Sequence, residues 1–212
     1  MANRTPLRLM PLGGSITYGV GSSDGNGYRK ALYEALTSAG FAVTMLGSRK
    51  TGTMDGSNSS HEGWRGFKIN EIREKGLKST KACLPNIFTI NGGSNDCIQD
   101  FEVSNAGKRI DDMLHGLWEA SPGSTIVLST LLRNKNKKVH ARVVDINEQI
   151  RSLVRQRDAE GKKIVLADMD TAQGPQVGDL PDGTHPNDEG YKKMAEIWFD
   201  SIQVVASKGF LQ

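Results

Sequence analysis

Apolar residues recur along the chain in two alternating patterns, short runs and helical stripes. The short runs are of strand length and cover residues 7–12, 41–46, 87–90, 125–132 and 164–167. Between them, apolar side chains recur three and four positions apart, as at Ile110, Met113, Leu114 and Leu117. This is the spacing of one face of a helix. The alternation predicts βαβ units, and hence a three-layer α/β/α sandwich around a parallel sheet of about five strands.

The segment 47–63 interrupts this alternation. It is polar and rich in Ser, Gly and Asn, which predicts a loop. Loops of this length inside a compact domain are usually functional or mobile. A chain of 212 residues otherwise fits one domain, and we expect residues 1–212 to form it.

The near balance of basic and acidic side chains argues against strongly charged binding partners. The 27 basic side chains nearly match the 24 acidic ones, so we expect neither nucleic acid nor a membrane surface as a partner. No apolar run approaches the ~20 residues of a transmembrane helix. We expect a monomer.

The two cysteines and four histidines lie too far apart in sequence to indicate a metal site, and no cofactor motif is present. Cys83 and Cys97 are separated by a predicted strand that, at ~3.3 Å per residue, spans about 23 Å. A disulfide needs its Cα atoms within about 7 Å. We therefore predict two free thiols.

Candidate chemistry collects in the loops that follow the predicted strands, where open α/β sheets place their sites. Ser15 follows the first strand, Asn95 the third, and Asp182 with His185 the fifth. A serine hydroxyl needs a base to act as nucleophile, and a carboxylate beside an imidazole fixes its tautomer. These side chains therefore suit acyl transfer. Structural roles remain open for each: a helix cap for Ser15, and turns for Asn95 and the Asp182 pair.

The same loops offer groups that could bind an oxyanion or a substrate. The Asn95 amide and the backbone N–H of Gly66 could meet a developing negative charge, with Gly63 as the second choice. Trp64 could stack on a sugar or pack inside the protein, and His61 lies on the long loop as a possible substrate contact. The G-x-S-x-G elbow of the α/β-hydrolases is absent.

Four blocks in order and spacing resemble the SGNH, or GDSL-like, hydrolases. They are Gly-Gly-Ser-Ile-Thr at 13–17, Glu-Gly-Trp-Arg-Gly-Phe at 62–67, Gly-Ser-Asn-Asp at 93–96 and Asp-Gly-Thr-His at 182–185. The short layout and the second block look most like carbohydrate esterase family 3, which contains acetyl xylan esterases. The resemblance covers nearly the whole chain. It implies the flavodoxin-like SGNH hydrolase fold and an esterase acting on acetylated polysaccharide or oligosaccharide.

The resemblance also implies residue roles. Ser15 would attack the ester carbonyl, His185 would take its proton, and Asp182 would hold His185. The oxyanion would be met by the Ser15 N–H, the Gly66 N–H and the Asn95 side chain. The chain departs from the usual Gly-Asp-Ser in one position, where Gly14 replaces the aspartate, and this puts the geometry of the nucleophile turn in question.

Two other functions fit parts of the same evidence. One is a thioesterase or lysophospholipase that uses the same triad on longer acyl chains. The other is a carbohydrate-binding domain without activity, which only Gly14 suggests. The likeness to the family also leads us to expect a secreted protein.

Overall fold

One mixed, mostly parallel sheet forms the centre of the protein. The computed structural model describes residues 5–211. Within that range the strands are β1 (Leu7–Gly13), β2 (Val43–Met45), β3 (Arg49–Lys50), β4 (Ser60–Gly63), β5 (Ile87–Asn91), β6 (Thr125–Ser129) and β7 (Ile164–Ala167). The helices are α1 (Ser15–Tyr18), α2 (Arg29–Ser38), α3 (Ile69–Cys83), α4 (Ser94–Gln99), α5 (Ala106–Ala120), α6 (Lys137–Ala159) and α7 (Asp188–Ser207).

The strand order places β1 near the middle of the sheet. Strands β1, β5, β6 and β7 lie side by side in parallel. The other edge of β1 is shared: β2 pairs with it over 7–9, and β4 pairs with it at 12–13, both in parallel. Strand β3 then adds antiparallel to β4.

The five predicted strands are all present, whereas the prediction of a loop over 47–63 is wrong in part. That segment contains β3, a 3-10 turn and β4. Strand β4 was missed because its sequence, Ser-His-Glu-Gly, has no apolar alternation although all four residues are buried. Its burial depends on polar partners, which a hydrophobicity pattern does not record.

Two apolar clusters, one on each face of the sheet, give the three predicted layers. Alternate strand residues point to opposite faces, so Met10 and Leu12 join the cluster under α3, α5 and α6, while Leu7 and Leu9 join the one under α2 and α7. None of the helices within 5–211 is long and apolar enough to cross a membrane. Cys83 and Cys97 are free thiols, as predicted.

Candidate active site

The serine predicted to be the nucleophile sits where β1 turns into the short helix α1. β1 ends at Gly13, and a Cβ there would lie 2.2 Å from the carbonyl oxygen of Asn91 on the neighbouring strand. Only glycine allows β1 and β5 to approach so closely at this point. The turn therefore places Ser15 directly at the carboxyl edge of the sheet.

Gly14, in contrast, is not required by its surroundings. Its φ of −92° suits any residue. A Cβ at Gly14 would meet nothing nearer than the Asn95 amide nitrogen at 3.6 Å and the Trp64 carbonyl oxygen at 3.8 Å. The absence of the aspartate leaves the nucleophile turn formed.

Ser15, His185 and Asp182 form a series of hydrogen bonds. The distance from the Ser15 Oγ to the His185 Nε2 is 2.8 Å. The distance from the His185 Nδ1 to the Asp182 Oδ2 is 2.6 Å. With Nδ1–H donated to the carboxylate, Nε2 carries the free lone pair and can accept a proton from the serine.

The Asp182 carboxylate is held by the loop that carries it. Its Oδ1 accepts hydrogen bonds from the backbone N–H of His185 at 2.7 Å and from that of Thr184 at 2.9 Å. Partial burial raises the pKa of the Asp182 carboxyl, but the bonds from His185 and Thr184 outweigh it and lower the pKa to about 2. The carboxylate is therefore charged at neutral pH and stabilises a protonated His185.

A cleft of about 380 Å³ opens beside these groups. All three residues predicted to bind an oxyanion, Ser15, Gly66 and Asn95, line it. The full lining is Ser15, Val20, Arg65, Gly66, Ser94, Asn95, Ile98, Thr184 and His185. Gly66 has φ +80°, which favours glycine. The structure thus brings Gly66 and Asn95 to the same cleft as the serine.

The N–H donors of the cleft differ in their availability. The Asn95 amide gives one hydrogen to the Phe67 carbonyl oxygen at 3.0 Å, which fixes the side chain and leaves its second hydrogen. Gly63, the second choice from the sequence, donates its N–H to the His61 Nδ1 at 2.9 Å. Gly63 is therefore not free to meet an oxyanion, whereas Gly66 lies on the cleft.

The prediction that His61 contacts substrate is wrong. His61 is fully buried, and its second ring nitrogen, Nε2, lies 2.8 Å from the Thr51 Oγ1. Burial, followed by the nearby Arg29 and Arg49, lowers its pKa to about 3. His61 is a neutral structural side chain that joins β4 to the preceding loop.

Trp64 is half-buried and is not among the residues that line this cleft, so its contact with substrate stays a prediction. Its Nε1 donates to the Glu62 Oε2 at 2.8 Å. Its ring stacks on Phe67, with the centroids 5.3 Å apart. The cationic groups of Arg49 and Lys75 lie 4.4 Å and 4.7 Å from the ring centroid. These neighbours cover part of the Trp64 ring and hold it in position.

Sequence analysis missed Arg29, which binds the carbonyl oxygens at the end of α1, the helix that begins with Ser15. Its side chain is fully buried and donates to the carbonyl oxygens of Thr17 at 3.1 Å, Tyr18 at 3.2 Å and Ser59 at 3.1 Å. No carboxylate of the described residues pairs with it. Every residue has a backbone carbonyl, so an arginine that bonds mainly to carbonyl oxygens has no recognisable partner in the sequence. No local pattern could therefore have revealed the role of Arg29.

The family profile of the GDSL-like lipases and acylhydrolases matches residues 9–198. The chain belongs to this family. The four blocks that carried the resemblance lie within or around the cleft just described. Membership places the chain among the lipases and acylhydrolases.

Known proteins resemble the chain over most of its length. A multidomain esterase of Ruminococcus flavefaciens is 26% identical over 93% of the chain, and the chain spans only 28% of that protein. A solved family 3 carbohydrate esterase of Clostridium thermocellum is 25% identical, with a TM-score of 0.83 over 95% of this chain and 98% of the other. A family 3 carbohydrate esterase of Talaromyces cellulolyticus, 23% identical, shares the fold with a TM-score of 0.81 over 95% of this chain and 99% of the other.

Proposed function

We propose that the protein is a serine esterase that removes O-acetyl groups from carbohydrate, with acetylated xylan as its substrate. The observation that carries the proposal is the hydrogen-bonded series from Ser15 through His185 to Asp182. Its position at the carboxyl edge of the sheet, beside an open cleft, supports access by an ester.

The geometry suits the two steps of ester hydrolysis. In the first, the Ser15 Oγ attacks the acetyl carbonyl carbon while His185 takes the hydroxyl proton; the bond from that carbon to the sugar oxygen then breaks, and His185 gives the proton to the leaving sugar oxygen. In the second, a water attacks the acetyl-serine, His185 takes the water proton and returns it to Ser15, and acetate leaves. Asp182 holds His185 and stabilises its cationic form in both steps.

The oxyanion of each tetrahedral intermediate would be met by the Ser15 N–H, the Gly66 N–H and the free Asn95 amide hydrogen. These donors are held by the turn, by the positive φ of Gly66 and by the bond from Asn95 to Phe67. Donors fixed before the reaction need no reorganisation as charge develops, and losing one typically costs about 2.7–4 kcal/mol of transition-state stabilisation.

The substrate class is supported by the proteins that the chain resembles. The named relatives include carbohydrate esterases of family 3 and an esterase of several domains. A polysaccharide substrate lies outside the cell, so we also propose that the protein is secreted. Detection of the protein in the culture fluid of its source would test secretion.

Acetate release from acetylated xylan tests the activity. We expect the wild type to release acetate and Ser15→Ala to lose nearly all of it. Ser38→Ala, at an exposed position at the end of α2, is the matched control. Release that is unchanged in Ser15→Ala would contradict the assignment of the nucleophile.

A series of 4-nitrophenyl esters tests the acyl group. The cleft should favour acetate over butyrate and octanoate. An optimum at octanoate would instead support the thioesterase or lysophospholipase alternative. A failure of a fluorophosphonate probe to label Ser15 would favour a binding domain without activity.

A further inference from the structure

We propose that the favoured substrate carries a carboxylate close to its acetyl group, as an O-acetylated uronic acid does, and that Arg65 recognises this charge. The inference rests on the proposed esterase function and goes beyond it in naming the charge of the substrate. It depends on the position of Arg65, on its lack of an acidic partner and on the charges around the cleft.

Arg65 lies on the wall of the cleft that also exposes Ser15 and His185. It stands directly before Gly66 and is exposed to solvent. Its guanidinium carbon lies 5.7 Å from the centroid of the Tyr18 ring, a distance at which a cation is attracted to an aromatic face. Tyr18 belongs to α1, the helix that begins with Ser15, so the Arg65 cation is held near the reacting serine.

No carboxylate among residues 5–211 lies within 4.0 Å of the Arg65 guanidinium. The acidic side chains that follow the cleft residue Ile98 are already engaged. Asp100 pairs with Arg142 at 2.5 Å, and Glu102 lies 3.5 Å from Arg109. Arg65 is therefore a guanidinium whose five N–H donors remain available to a ligand.

The cleft presents one permanent charge. Of the side chains that line it, Arg65 is the only one that is charged at every working pH, and the others are neutral or, in His185, change charge during the reaction. The acid nearest to the chemistry, Asp182, already accepts three hydrogen bonds. A carboxylate on the substrate would thus find attraction at Arg65 without an opposing free acid.

Arginine suits this role by its geometry. Its planar fork can give two parallel N–H···O bonds to one carboxylate, whereas a neutral sugar accepts only single bonds to its hydroxyl oxygens. Charge recognition on the wall of a cleft also raises the rate of encounter with an anionic substrate, and this effect weakens as salt is added. The paired hydrogen bonds and the faster encounter both predict a preference for the anionic substrate, and added salt should reduce this preference.

The test compares one polymer in two charge states: acetylated oligogalacturonate and its methyl-esterified form, in which the carboxylates are neutral. The readout is the ratio of kcat/KM for acetate release, charged over neutral. We expect a ratio of about five for the wild type at low salt, the scale of one exposed ion pair. Sodium chloride at high concentration should bring it towards one.

Variants of Arg65 test whether this residue causes the preference for the charged polymer. Arg65→Gln should bring the ratio close to one, Arg65→Glu should invert it, and Arg65→Lys should keep part of it. Arg155→Gln is the matched control, because Arg155 is an exposed arginine on α6 that does not line the cleft, and it should leave the ratio unchanged.

Two results would overturn the inference: a wild-type ratio of one or below, or a ratio that Arg65→Gln and Arg65→Glu leave unchanged. If acetate is still released from acetylated xylan in a way that depends on Ser15, the proposed function stands and only the inference about charge fails. If no hydrolysis that depends on Ser15 is found, both fail.

Discussion

Replacing Asp182 by asparagine tests whether this residue orients the base. The asparagine oxygen can still accept the backbone N–H bonds of Thr184 and His185 that Asp182 accepts now. Its amide nitrogen would then face the His185 Nδ1 and would donate where the carboxylate accepted. The imidazole would be driven to the tautomer that carries its proton on Nε2, which cannot accept the proton of Ser15.

The size of the effect follows from how exposed the carboxylate is. In serine proteases, where the corresponding aspartate is buried, the same replacement lowers kcat about 10⁴-fold. The Asp182 side chain is 57% exposed, so water can replace part of what the carboxylate provides. Taking about half of that free-energy effect gives a loss in kcat of about a hundredfold.

Steady-state hydrolysis of 4-nitrophenyl acetate at pH 7.5 would measure kcat for wild type, Asp182→Asn and Asp200→Asn. Asp200 is an exposed aspartate within α7, and its replacement should change nothing. The midpoint of thermal unfolding should be similar in all three, because the loop keeps its backbone bonds in Asp182→Asn.

A kcat for Asp182→Asn within about threefold of the wild type would refute the reasoning. It would mean that the Asp182 carboxylate contributes neither the tautomer nor the charge, and that another group holds His185. A large loss accompanied by unfolding would instead assign Asp182 to the stability of its loop.

Two further predictions concern the support of the site. Arg109→Met leaves the fully buried Asp96 without the ion pair it now makes at 2.6 Å, so we expect the free energy of unfolding to fall by about 3–5 kcal/mol. The fall should be larger at pH 8 than at pH 5, because burial raises the pKa of the Asp96 carboxyl and Arg109 opposes that rise, so that removing Arg109 raises this pKa further. A carboxyl whose pKa is raised in the folded state lowers the free energy of unfolding increasingly as pH rises. Urea unfolding at both pH values measures this, and equal losses would contradict it. Gly14→Ala should change the free energy of unfolding by less than about 1 kcal/mol, whereas Gly13→Ala should destabilise strongly because its Cβ would lie 2.2 Å from the carbonyl oxygen of Asn91. Thermal unfolding of both variants compares them, and equal destabilisation would show that Gly14 is also required.

The sequence predicts well where a pattern repeats or where a motif carries its own chemistry. The apolar runs located all five principal strands, because a parallel sheet buried on both faces must be apolar along its length. The glycines and polar side chains after those strands indicated Ser15, Asn95, Asp182 and His185. Their convergence on one edge of the sheet follows from parallel strands that all end at the same side.

The sequence failed where burial depends on polar contacts between distant residues. His61 looked like a loop residue at the rim, yet it is buried in β4 and bonded to Thr51. Trp64 looked equally suited to a sugar or to packing, and only the structure shows that it stacks on Phe67 and donates to Glu62.

The sequence by itself thus determined the α/β class, the family and the four residues that the motifs mark. The tertiary structure alone decided which N–H groups are free, since Gly63 is bound to His61 and Gly66 lies on the cleft. It alone also revealed the unpaired guanidinium of Arg65. Local patterns record which side chains are apolar, but whether a polar group has a partner depends on residues far away in the chain.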